Sequence, residues 1–184
     1  MQSQKYTDQE IYKNILINII FSLLLATQYK FCEDLYIKLS NKIPTEENLA
    51  VCSLLIEDSN YHNLDIPLVL GVAWEESRLT EQKKPTKYNC VGPLQIKYQF
   101  WCPNKKGYIN AIKRDGLLKK CDIFYHGTRA LKYYIERFKP LNKALCYYNN
   151  SKKCKGKKNY RSHYVKRVNK YTNKIRKIYR KYNF

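Results

Sequence analysis

The chain has 184 residues, of which 44% are apolar and 14% aromatic; this is enough to close one hydrophobic core and excludes a disordered tail. Its formal charge of +20 is unevenly placed: residues 1–136 carry 18 Lys and Arg against all 15 Asp and Glu, and residues 137–184 carry the other 17 with no acid. The body is therefore nearly neutral and the C-terminal segment a polycation, which points to a polyanionic partner: nucleic acid, an anionic membrane, or a wall polymer bearing carboxylates.

Residues 1–13 are polar, and an apolar run from Ile15 to Leu25 follows, interrupted by Asn18 and Ser22. Eleven residues are short for a bilayer. The run suits the core of an export signal with Lys5 and Lys13 ahead of it, although Asp8 and Glu10 dilute that flank and no small-x-small cleavage site follows. Export signal, uncleaved anchor and ordinary helix packed on the body all remain readings, the helix continuing into the amphipathic Phe31–Leu39. Pro44 marks a boundary, dividing an N-terminal extension of residues 1–42 from a domain of residues 43–184. Thr45 then reads as the N-cap of a helix over about Glu46–Ile56, with Glu46 and Glu47 favoured in its first turn by the helix dipole.

A turn over Asp58–Asn63 leads to a helix from Asp65 to about Leu79, capped by Asp65 and tolerant of Pro67 in its first turn. At about 100° per residue, Leu68, Val69, Val72, Ala73 and Leu79 share an arc of roughly 140°. Glu76 falls near the middle of that arc. A carboxylate on a core-facing stripe loses hydration, so its pKa rises and it can hold and donate a proton near neutral pH. Glu75 lies at the arc's edge and reads as a rim residue facing solvent.

The loop Thr80–Asn89 precedes Val91-Gly92-Pro93-Leu94-Gln95-Ile96, where Gly92 and Pro93 impose a turn and Gln95 supplies an amide able to donate and accept. After the loop Cys102–Gly107 and a helix-like Ala111–Leu118, Asp122 caps a strong helical pattern from Ile123 to Phe138, with Gly127 permitting close approach of a neighbouring helix and Pro140 ending it. A shorter helix follows over Asn142–Tyr148, then a turn at Asn149-Asn150-Ser151. Tyr164, Val168, Tyr171, Ile175 and Ile178 form one apolar stripe on a final helix otherwise covered by Lys and Arg. No extended alternation of period two occurs, so the expected class is all-α.

Seven cysteines without a CxxC pair suggest neither a zinc site nor a dense disulfide framework. Cys52 and Cys146 sit among apolar residues and read as buried thiols; Cys90, Cys102, Cys121 and Cys154 are free to pair if the protein is exported. His62, His126 and His163 lack metal-ligand spacing, so no metal or cofactor is expected.

Together, Tyr61-x-x-Leu64-Asp65-x-Pro67-x-Val69-Leu70-x-Val72-Ala73-x-x-Glu76-Ser77, Gly92-x-Leu94-Gln95-Ile96, Ala144-Leu145-x-x-Tyr148-Asn149 and Tyr164-Val165-x-Arg167-Val168 resemble the soluble lytic transglycosylase family of the lysozyme superfamily. The resemblance spans about residues 47–170. It implies a lysozyme-like fold, with Glu76 as the catalytic acid and Ser77, Gln95, Tyr148 and Asn149 contacting substrate. The implied substrate is peptidoglycan, cut to leave 1,6-anhydro-muramyl ends, in the cell envelope or periplasm. The sequence departs from the family at Pro93, at Leu79 where an aromatic is usual, and at Asn150-Ser151. A hydrolase on the same fold would need a second acid such as Glu81, Asp115 or Asp122. The basic C-terminal helix suits an anionic wall polymer or membrane; nucleic-acid binding as the main role leaves Glu76, Gln95 and Tyr148-Asn149 unexplained.

Overall fold

The computed structural model describes residues 2–102, 121–150, 154 and 162–182, so the helix-like Ala111–Leu118 lies outside the described residues. Within them the chain is mostly helical: α1 (Gln2–Ser40), α2 (Glu46–Tyr61), α3 (Ile66–Ser77), α4 (Tyr98–Trp101), α5 (Ile123–Arg137), α6 (Leu141–Asn150) and α7 (His163–Tyr179). One antiparallel ribbon, β1 (Cys90–Val91) against β2 (Ile96–Lys97), pairs Cys90 with Lys97 and Val91 with Ile96. Two residues per strand are too few to leave an alternating signal in sequence.

The helix starts are fixed locally. Thr45 accepts from the Asn48 N–H while the Asn48 side chain accepts from the Thr45 N–H, closing a reciprocal cap on α2. The Asn48 amide also donates to the Leu79 carbonyl at 3.0 Å, tying the start of α2 to the chain just past α3. Asp65 caps α3 through the Leu68 N–H, and Asp122 caps α5 through Phe124 and Tyr125.

The central helix α3 differs from the one-faced expectation: every residue from Ile66 to Trp74 is buried. It is sheathed on all sides, and α7 is its most extensive neighbour. Gly71 permits that approach, since a Cβ there would lie 2.4 Å from Thr172 Oγ1 on α7. The core around α3 is built from Leu35, Leu55, Leu70, Leu131, Leu145 and Ile175, all fully buried, each contributing about 1.5–3 kcal/mol by leaving water. Gly127 serves close packing, but against Leu94 of the ribbon's turn and not against the neighbouring helix expected from sequence.

The two halves of α1 differ. Phe31, Cys32 and Leu35 are buried in the core, with Phe31 edge-on to Tyr179 and Tyr182 near the end of α7. Ile11 to Leu25 stand clear of the body, with Leu16 58% and Leu23 63% exposed. That half is not a helix packed on the domain, and the segment Glu10–Ser40 is long and apolar enough to cross a membrane.

Three disulfides join Cys32–Cys52, Cys102–Cys121 and Cys146–Cys154, with Cα separations of 5.9, 5.5 and 5.8 Å. Cys52 and Cys146 are thus buried as half-cystines and not as thiols. Apolar neighbours signal burial for either state, and nothing in sequence identifies a partner 20 residues away. Cys90 is the free cysteine.

Candidate active site

The last turn of α3 carries Glu75 and Glu76 to the face covered by α7. The Glu76 side chain is partly buried there and accepts a hydrogen bond from the Tyr164 hydroxyl at 2.7 Å. Its pKa is raised from an ordinary 4.5 to about 7. Burial is the chief cause; the Tyr164 hydrogen bond opposes it, and the negative charge of Glu75 adds to it. Near neutral pH the group is therefore divided between its acid and carboxylate forms, the condition for giving up a proton in one step and recovering one in the next.

Glu75 is not the solvent-facing residue that the helical wheel suggests: its side chain is only 8% exposed. Its Oε1 receives Nε and Nη2 of Arg167, each at 2.7 Å. Tyr164 and Arg167 are three apart on one face of α7, so this face meets two consecutive carboxylates of α3. One is met by a neutral donor and remains protonatable. The other is neutralised by a guanidinium.

Past Glu76 the helix is closed by Ser77, whose hydroxyl donates to the Ala73 carbonyl at 3.1 Å and accepts from the Thr80 N–H at 3.3 Å. The Ser77 hydroxyl is thus engaged in shaping the exit from α3. Arg78 and Leu79 both take left-handed backbone, φ +59° each, reversing the chain immediately after the two acids. Such a conformation costs a non-glycine residue about 1 kcal/mol or more, and the Asn48 amide holds its carbonyl in place.

The reversed chain returns as the β1–β2 ribbon. Gln95 sits in its turn at φ +49°, with its backbone N–H and side-chain Nε2 both donating to the Gly92 carbonyl at 3.0 Å. Tyr148 of α6 donates its hydroxyl to the Leu94 carbonyl, which locks α6 to this turn. Burial, and then the nearby charge of Glu76, push the Tyr148 hydroxyl well above its ordinary range. The Cys90 thiol is raised for the same two reasons in the same order. Glu76, Tyr164, Tyr148, Cys90 and the Gln95 turn therefore converge. Asn149 lies exposed beside them; with Asn150 it continues α6, where a turn is expected from sequence.

An aromatic wall extends from Tyr148 that the sequence reading does not identify. The Tyr148 ring meets Tyr134 at 5.5 Å, and Tyr134 and Tyr133 lead to Trp101 at 6.3 and 5.5 Å. These partly exposed rings come from α4, α5 and α6, so no single segment reveals them. Tyr164 and Arg167 are visible in sequence as part of a pattern, but their roles depend on partners 88 and 92 residues away.

The alternative acids have other occupations. Asp122 caps α5, Glu81 pairs with Lys83 at 2.8 Å, and Asp115 lies outside the described residues. Among the described carboxylates, Glu75 is the one whose charge acts on Glu76. Also among the described residues, no three of His, Cys, Asp and Glu converge as metal ligands would. No protein-family model, curated protein or solved structure shows a significant match to the chain.

Proposed function

We propose that the chain is a peptidoglycan lytic transglycosylase with a lysozyme-like domain, in which Glu76 is the single acid and base. The observation that carries this reading is the contrast between two neighbouring carboxyls: Glu76, partly buried against Tyr164 with its pKa near 7, and Glu75, held by Arg167. Protonated Glu76 gives its proton to the oxygen linking N-acetylmuramic acid to N-acetylglucosamine as the C1–O bond breaks. The resulting carboxylate, steadied by the Tyr164 hydroxyl, takes the proton of the muramyl C6 hydroxyl, whose oxygen closes on C1. A 1,6-anhydro ring forms, no water is added, and Glu76 ends protonated as it began. A hydrolase acting through two carboxyls needs a second one across the scissile bond, and the described carboxylate nearest in effect is engaged with arginine.

The partly exposed rings of Trp101, Tyr133 and Tyr134 offer apolar faces for sugar rings, and Gln95 and Asn149 offer amides for hydroxyl and acetamido groups. Three disulfides and an exposed apolar helix support a site of action outside the cytoplasm, in the cell envelope. The basic face of α7 suits anionic wall polymer. Digestion of purified peptidoglycan followed by mass analysis of the fragments tests the reaction. Anhydro ends, each lighter by one water than a reducing end, are expected. Reducing ends would assign a hydrolase, and an undigested wall would remove the substrate assignment.

A further inference from the structure

We propose that α1 remains attached as a transmembrane anchor, spanning the bilayer between Tyr12-Lys13 and Tyr29-Lys30, with the folded body on the oxidising side. The uncharged stretch between the two lysines is 16 residues, about 24 Å of helix. Lysine stems reaching outward at each end extend it to the thickness of a hydrocarbon core. Tyr12 and Tyr29, 74% and 51% exposed, stand at the two ends, where amphipathic rings sit at membrane–water boundaries.

The stretch is exposed around its circumference: Ile15, Leu16, Ile17 and Leu25, which step round the helix at about 100° per residue, are 49%, 58%, 52% and 50% exposed. A groove on a protein would cover one face of such a helix; a bilayer covers all of them. Asn14, Asn18 and Ser22 form a thin neutral line, without the charged face of a helix lying flat on a membrane.

Continuity with the core argues against removal. The Gln28 amide donates to the Ser53 carbonyl at 3.0 Å, Phe31 is buried, and Cys32 is bonded to Cys52 of α2. The helix is thus fixed to the body within about a turn of the span's end. The body's Lys177, Arg180 and Lys181 are exposed at the end of α7 that packs on Phe31, so cationic side chains flank the exit and match anionic headgroups. Flanking lysines do not orient the span, since Lys5 and Lys13 precede it and Lys30, Lys38 and Lys42 follow. The three disulfides do, by requiring an oxidising compartment for everything after Lys30.

The proposal is independent of the catalytic reading. Its test is expression of the full chain in a bacterial host, with the membrane fraction washed in alkaline carbonate and spheroplasts treated with protease. The intact mass should stay in the washed membranes until detergent is added, and the body should be digested from outside. An Ile20→Lys/Leu23→Lys variant, altered only in exposed residues, should lose wash-resistant binding by tenfold or more while its body keeps its disulfides. Release of wild type by carbonate, recovery of a shortened chain beginning near residue 27, or a body protected from external protease would overturn the proposal.

Discussion

Tyr164 donates its hydroxyl to Glu76 at 2.7 Å, and three residues further along α7 Arg167 holds Glu75 at the same distance. One helix face therefore treats two adjacent carboxyls oppositely. Tyr164 stabilises the ionised form of Glu76 and so lowers its pKa against the larger effect of burial. A Tyr164→Phe variant should raise that pKa further. Activity that depends on protonated Glu76 is lost in the wild type as pH rises through about 7, and in the variant this loss should move to higher pH. The maximal rate should fall by roughly 10- to 100-fold, because a hydrogen bond to a charged group is worth about 1.5–3 kcal/mol. A pH–rate profile checks both effects.

Arg167→Met leaves the Glu75 charge buried without its main partner. That charge already raises the Glu76 pKa, so the alkaline limb should again move upward. Because the Arg167 side chain is 50% exposed, the stability cost should be about 1–2 kcal/mol, below that of a fully buried pair. The double variant Glu75→Gln/Arg167→Met should recover most of that stability and shift the limb below the wild-type position. Denaturation and rate profiles of the four proteins form the cycle that measures this.

Glu76 should limit stability at alkaline pH. Its folded-state pKa of about 7 lies above the ordinary 4.5, so the folded state binds more protons than the unfolded state between these values. Stability then falls as pH rises from about 4.5, by up to roughly 3 kcal/mol above pH 7. Glu76→Gln should consequently raise the melting temperature at pH 8 and have little effect at pH 4. Thermal unfolding at the two pH values checks the sign.

Trp101 ends the aromatic wall that begins at Tyr148. Trp101→Ala should raise KM for glycan strands by about 5- to 30-fold, as expected for loss of about 1–2 kcal/mol of ring contact. The maximal rate and the pH limb should change little, since the titration of Glu76 is set by burial, Tyr164 and Glu75. Initial rates over a range of soluble glycan concentrations separate these effects.

What was legible in sequence was local. Thr45, Asp65 and Asp122 cap the helices they were expected to open, because a cap needs only the next three residues. Glu76 could be singled out because one acid among Val69, Val72 and Ala73 breaks the helical period. The environment of Glu75 was not legible. Helical periodicity places a side chain relative to its own helix, and it is α7, 92 residues later, that covers the supposed rim with Arg167. The disulfide partners of Cys52 and Cys146 carry no signal in sequence, since apolar neighbours mark burial for thiol and half-cystine alike; the ribbon has too few residues per strand to alternate, and the aromatic wall joins rings from separate helices.

The most direct measurement compares the rate of peptidoglycan digestion by wild type, Glu76→Gln and Glu75→Gln, with circular dichroism confirming that each is folded. Loss of a positioned acid and base removes about 10²–10⁴ in rate. Glu76→Gln should therefore be at least about a hundredfold slower than wild type, and Glu75→Gln should remain active with its alkaline limit at lower pH. A Glu76→Gln enzyme that digests peptidoglycan at the wild-type rate would contradict the assignment of Glu76 as the acid and base.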